Sequence, residues 1–208
     1  MIRAAAEFAR EEGCRLHVHL AETTHEVEQA VAMHGKTPLR LLENLGALGK
    51  NTVAIHAIHL DDDEKKALAR SGASVIHNPV TNQYLGDGIC GVSRLRELGV
   101  KIGLGTDANV DASIFDEMRS ASLLQKLSHR DASAFNAGTA FKLGTSEGAA
   151  SLGIDAGDLR EGALADYAVV AVDRVDPWSP LLNALVYRAQ PLWIRETYVG
   201  GRRVYARP

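Results

Sequence analysis

The chain has 208 residues, 46% of them hydrophobic and 24% charged, with a formal net charge of −3. That is length enough for an ample core, in the composition of a soluble globular protein. No run of Lys and Arg could track phosphates and no apolar stretch could span a membrane, so neither nucleic acid nor a bilayer is an expected partner.

The elements alternate. Met1 to Glu12 reads as a helix stopped by Gly13, not as a secretory leader, and Arg15 to Leu20 reads as a strand. On that strand Leu16, Val18 and Leu20 share one face, His17 and His19 the other. Thr24 to His34 reads as a helix with Thr24 as N-cap and Gly35 beyond its end, and Pro38 to Leu45 as a short helix. Thr52 to Ile58 is an expected strand. Asp61 to Arg70 is an expected helix, its first turn acidic as the helix dipole favours. Ala73 to His77 (strand), Val92 to Leu98 (helix), Val100 to Leu104 (strand) and Phe115 to Leu127 (helix) continue the pattern. Such spacing implies a parallel sheet of βα units. After Gly153 the pattern changes. Ala168 to Val172, Leu192 to Val199 and Arg203 to Tyr205 read as short strands, between Gly162, Pro177, Pro180 and Gly200-Gly201. Residues 1–153 are therefore expected as one α/β unit and 154–208 as an appended β segment. Cys14 and Cys90 lie in no paired-cysteine motif and read as ordinary buried thiols of a cytoplasmic protein.

The apolar runs end in chemistry. His17-Val18-His19-Leu20-Ala21-Glu22, Ile55-His56-Ala57-Ile58-His59, Val75-Ile76-His77-Asn78-Pro79 and Gly103-Leu104-Gly105-Thr106-Asp107 each deliver His, Asp or Glu to a strand end. A barrel of parallel strands presents a metal-assisted active site in this way, at its C-terminal rim. Each group has a plainer reading. His17 and His19 could be hydrogen-bonded core histidines, Asp107 a turn residue, and His77 a support for its loop. Glu22 lies where a carboxylate can move protons without ligating a metal. His56 falls on the polar phase of its strand, and Gly103 and Gly105 leave room on the phase of Asp107. His25, His34 and His129 read as surface histidines. Gly86-Asp87-Gly88 reads as a flexible loop after a strand, with no phosphate-binding pattern.

The ordered set of segments resembles the amidohydrolase superfamily, in its branch of cyclic-amidine deaminases and triazine hydrolases, with a methylthioadenosine/S-adenosylhomocysteine deaminase-like pattern. It is carried by His17 to Thr23, Ile55 to Leu60, His77 to Asn82, Leu104 to Asp107 and Phe115 to Arg119. Thr145 to Ala149 and Gly162 to Asp166 match the family's C-terminal signature. The resemblance implies the C-terminal half, strands five to eight, of a metal-dependent (β/α)8 barrel plus a small β segment. It implies a divalent metal, zinc with iron as the alternative, held by His19 and Asp107. Glu22 would then carry protons to a substrate ring nitrogen, and Asp107 would accept one. His56 would polarise the attacked carbon's substituent or steer water, and His17, His77 and Asn78 would line the substrate pocket.

Strands one to four, with the family's own His-x-His pair, have no counterpart here, so the metal site is expected to be incomplete. Weak zinc binding, no turnover and self-association through open edges follow as expectations for the isolated chain. The loop Ala108 to Ser113 lacks a Gly usual in that branch, and Leu85-Gly86-Asp87-Gly88 is closer to formiminoglutamate deiminases. The expected activity is hydrolytic deamination of a cyclic amidine, an aminopurine, pterin or triazine-like small molecule. The alternatives are a formimino-type deiminase, a non-catalytic half-barrel, or a complete open-sheet binding protein.

Overall fold

The computed structural model describes residues 1–108, 112–173 and 175–207. Four βα repeats come first. They run α1 (Ile2–Glu11), β1 (Leu16–Leu20), α2 (Thr24–His34), α3 (Pro38–Asn44), β2 (Thr52–His56), α4 (Asp62–Ser71), β3 (Ser74–His77), α5 (Pro79–Leu85), α6 (Val92–Glu97), β4 (Ile102–Leu104) and α7 (Ile114–His129). Then follow α8 (Ala137–Leu143), α9 (Ser146–Leu152), β5 (Tyr167–Val170), α10 (Leu181–Tyr187), β6 (Ile194–Val199) and β7 (Arg202–Ala206). The first four strands form a parallel sheet in sequential order β1-β2-β3-β4; the last three form a separate antiparallel sheet.

Local chemistry explains the boundaries. The Thr23 hydroxyl, not that of Thr24, caps α2 by accepting from the Glu26 N–H, and Gly35 ends the helix in the left-handed conformation. Asp61 and Glu64 close a capping box at α4, so the acidic run there is a helix start. The helices α5, α8, α9 and α10 were not expected. Pro79 and Pro180 look like breakers in the sequence. Pro79 instead occupies the first turn of α5, where its missing N–H costs nothing, and Pro180 sits at the N-cap of α10. The loop Gly86-Asp87-Gly88 therefore follows a helix, not a strand.

One face of the parallel sheet builds the main core. Leu20, Ala54, Val75 and Ile102 pack there against Leu39, Leu42, Leu68, Val92 and Leu95. Register places His17 and His19 beside Val53 and Ile55, and Ile76 beside Gly103, on the opposite face. Part of that face is taken by α9, whose Ser151 carbonyl accepts a 2.7 Å hydrogen bond from the Ser74 hydroxyl. A Cβ on Gly103 would come within 2.7 Å of Ser151 Oγ and 3.1 Å of Gly148 Cα. The room foreseen at Gly103 is thus filled by the protein itself. A second cluster joins Phe115 and Met118 of α7 and Ala140 of α8 to Val186, Ala189 and Trp193 near the antiparallel sheet. Of the two cysteines, Cys90 is buried as expected and Cys14 is exposed.

Candidate metal centre

Strand ends bring three donors together. His19, His56 and Asp107 each offer a ligand atom, all within 4.8 Å of one another. His19 Nε2 lies 3.4 Å from Asp107 Oδ1, and His56 Nε2 lies 3.9 Å from Asp107 Oδ2 and 3.5 Å from Glu22 Oε1. The two imidazole rings are 5.2 Å apart, tilted by 36°. Access is graded: the His19 side chain is 59% exposed, Asp107 21%, and His56 0%.

Backbone geometry explains this convergence. Six non-glycine residues among those described adopt positive φ, and Ala21, His56, Ala57 and Asp107 are four of them, at the ends of β1, β2 and β4. Each such conformation costs about 1 kcal/mol or more, and such strain gathers where geometry serves function. His56 shows what it achieves. Its register partner is Leu20 and its strand phase is that of buried Ala54, so it is not on the polar phase of β2. At φ 71° the chain leaves the pleat there and Nε2 faces Glu22 and Asp107. Crossed hydrogen bonds hold the turn. The Ala57 N–H donates to the Leu20 carbonyl, and the Ile58 and His59 N–H groups donate to that of Ala21.

Glu22 is placed by Glu26, which sequence reasoning missed. The Glu26 carboxylate accepts from the N–H groups of Ala21 and Glu22 at 2.9 and 2.8 Å. The run Thr23-Thr24-His25-Glu26 carries the Thr-x-x-Glu signature that could have revealed it. A second missed residue, Asn82, lies 2.9 Å from His56 Nδ1. A third, buried Glu117, accepts the Val80 N–H at 3.1 Å and so anchors the start of α5.

The remaining expected site residues are not members of this three-donor cluster. His17 is exposed on β1, one pleat below His19. His77 is fully buried on the phase of Val75 rather than on the opposite face, with no hydrogen bond to either ring nitrogen among the described residues. Burial, with help from nearby His56, pushes its pKa down to about 3, so it is neutral. Asn78 is buried, its Oδ1 only 2.6 Å from where a Cβ on Gly105 would stand. The second glycine therefore admits a side-chain amide. His59 is tied to its loop by a 2.7 Å contact from Nε2 to the Asp87 carbonyl oxygen. His25, His34 and His129 are exposed, as expected of surface histidines. The loop at Ala108 to Ser113, where the sequence departs from the branch pattern, falls largely on 109–111, outside the described residues.

The donor set fits a divalent cation. Two imidazoles and a carboxylate are zinc-type ligands, and His56 Nε2 is a buried nitrogen with no hydrogen-bond partner among the described residues. No helix among the described residues is long and apolar enough to cross a membrane.

Known proteins resemble this chain in sequence and in fold. The chain is 39% identical over 205 residues to a 5-methylthioadenosine/S-adenosylhomocysteine deaminase of Haloarcula marismortui, covering 96% of this chain and 48% of that protein. It is 37% identical over 207 residues to a 5'-deoxyadenosine deaminase of Methanothermobacter thermautotrophicus, covering 97% and 48%. The crystal structure of an adenosine deaminase from Xanthomonas campestris with bound zinc superposes with a TM-score of 0.93 at 30% identity, over 97% of this chain and 48% of that one. The chain thus spans about half the length of the curated relatives it matches. The Amidohydrolase family profile matches residues 1–204, and on that match the chain belongs to the amidohydrolase family.

Proposed function

We propose that the chain forms strands five to eight of a metal-dependent (β/α)8 barrel that hydrolytically deaminates a cyclic amidine. Residues 1–153 would be the partial barrel and 154–208 the β segment of a small domain. The observation that carries the reading is the convergence of His19, His56 and Asp107 at one end of the sheet, with Glu22 3.5 Å from His56. His19 and Asp107 would hold the cation, Zn²⁺ or Fe²⁺, with His56 as a third donor. Three protein ligands suit a catalytic zinc site, which keeps one position open. Such a cation supplies a water activated near neutral pH.

The chain's own groups account for the proton traffic. Asp107 accepts a proton from the attacking water through the oxygen not used as a ligand. Glu22, 23% exposed and fixed by its backbone bond to Glu26, donates a proton to the ring nitrogen of the amidine. His17 stands on the open face where the ring would lie, and buried His77 and Asn78 shape the pocket wall from behind. The deaminase relatives support an amino-bearing ring, an aminopurine first.

The test is ammonia release by the zinc-loaded chain from aminopurines, pterins and triazines. Slow release above the blank is expected if the three donors suffice to hold the cation, and silence, the expectation from sequence, if they do not. Glu22→Gln and Asp107→Asn should each lower it by roughly 10²-fold or more. Preference for a formimino substrate would select the deiminase reading, which Leu85-Gly86-Asp87-Gly88 favours. Bound zinc with no release from any of these would leave a non-catalytic half-barrel.

A further inference from the structure

His56 is fully buried, and its two ring nitrogens meet opposite surroundings. Nδ1 lies 2.9 Å from the side-chain oxygen of Asn82. Nε2 makes no hydrogen bond among the described residues and faces two carboxylates, at 3.5 Å from Glu22 and 3.9 Å from Asp107. A neutral imidazole carries one proton, so a ring that donates from Nδ1 keeps a lone pair on Nε2. Free histidine side chains favour the other tautomer, so the choice at this position must come from the partner.

Asn82 is built to impose that choice. It is 1% exposed and held at both backbone groups. Its N–H donates to the Asn78 carbonyl at 3.0 Å, and its own carbonyl accepts the Asp87 N–H at 3.0 Å and the N–H of Gly86, the α5 C-cap. The same short helix is anchored at its start by Glu117. The Asn82 amide therefore meets His56 from a fixed backbone, and the left-handed turn at His56 fixes the ring.

We infer that Asn82 is the positioning residue for His56: its side-chain carbonyl takes the Nδ1 proton and leaves the Nε2 lone pair facing Glu22 and Asp107. Of the two roles that family resemblance offers His56, this selects the accepting one. A lone pair can ligate a cation or accept from a water, whereas an Nε2–H could ligate no cation and could only donate, to a carboxylate, a water oxygen or a substrate. A histidine ligand commonly has its other ring nitrogen held by such a partner, which fixes tautomer and orientation together. The inference stands on hydrogen-bond geometry and is independent of the substrate ring.

The test is long-range ¹H–¹⁵N correlation NMR on the full chain labelled at histidine, at a pH where His56 is neutral. The wild-type ring is expected to carry its proton on Nδ1. Asn82→Leu, which removes the acceptor, is expected to move the proton to Nε2. Asn82→Asp keeps an acceptor and has no amide donor, so it is expected to restore the Nδ1 proton. A wild-type ring protonated on Nε2 would overturn the inference. So would an unchanged tautomer in Asn82→Leu with a native backbone spectrum. Should Asn82→Leu fail to fold, the wild-type spectrum decides alone, because an amide nitrogen donating to Nδ1 would leave the ring's proton on Nε2. Zn²⁺ titration gives a second readout, with Asn82→Leu expected to bind roughly tenfold or more weakly. Should the wild-type chain bind no zinc at all, the metal reading of the site falls, while the tautomer that NMR assigns to His56 still decides the role of Asn82.

Discussion

His77 buries a titratable ring without a hydrogen-bond partner among the described residues, and that has a measurable consequence. Its folded pKa is depressed to about 3, against about 6.5 when unfolded. As pH falls through 6.5 the unfolded chain takes a proton that the folded chain refuses. Stability contributed by the neutral ring is therefore present above 6.5 and lost progressively from there down to about 3. Between pH 7 and pH 5 the expected loss from this ring is about 2 kcal/mol. Urea titrations at the two pH values should show it, and His77→Leu should remove that part of the difference. An identical pH dependence in His77→Leu would mean that the ring is protonated when folded. At this scale the sequence was legible wherever chemistry sat at a strand end. His19, Glu22 and Asp107 were found that way and do converge. His56 was found by residue type but placed on the wrong phase, because period-two alternation fails where φ turns positive. Asn82 lay inside a segment that carries the resemblance, His77 to Asn82, but no role could be read for it, because its partner His56 is 26 positions away in the chain.

Strands and long helices were legible as elements because hydrophobic periodicity marks them. Four helices of seven residues, α5, α8, α9 and α10, were not. They are held by tertiary contact rather than by their own pattern, as short helices must be. Among them α9 matters most for the sheet, because its backbone occupies the space that Gly103 leaves open. Gly103→Ala is therefore expected to destabilise the chain by about 1–3 kcal/mol, since a Cβ would meet Gly148 Cα at 3.1 Å and Ile76 Cδ1 at 3.0 Å. Gly49→Ala is the control: a Cβ there meets nothing within 4 Å, and a change within about 1 kcal/mol is expected. Equal denaturant midpoints for the two variants would show that α9 yields easily.

At the scale of the molecule, β1 and β4 each have a single neighbour in the parallel sheet among the described residues, and the His17 end of the face that α9 partly covers is exposed. The small sheet adds exposed Val199, Val204 and Tyr205. Unpaired edges and apolar surface promote association between copies. Sedimentation velocity is expected to show a weight-average mass that rises with protein concentration. A lysine in place of His17 beside the β1 edge should lower that rise without altering the circular dichroism spectrum. A monomer at every concentration would mean that the edges are protected. The parallel α/β architecture was legible from the alternation of strands and helices. The packing of α7 and α8 against Val186, Ala189 and Trp193 was not, because no periodicity links positions so far apart.

The bond from the Ser74 hydroxyl to the Ser151 carbonyl joins residues 77 positions apart. It sets the order in which the molecule can be completed. Synthesis delivers all four parallel strands well before α9, so during that interval Ser74 and Gly103 lie bare. Contacts of such long separation also form late in refolding, because loop closure must come first. A sheet formed before α9 emerges would therefore show a chaperone or a neighbouring chain a surface that the finished fold conceals.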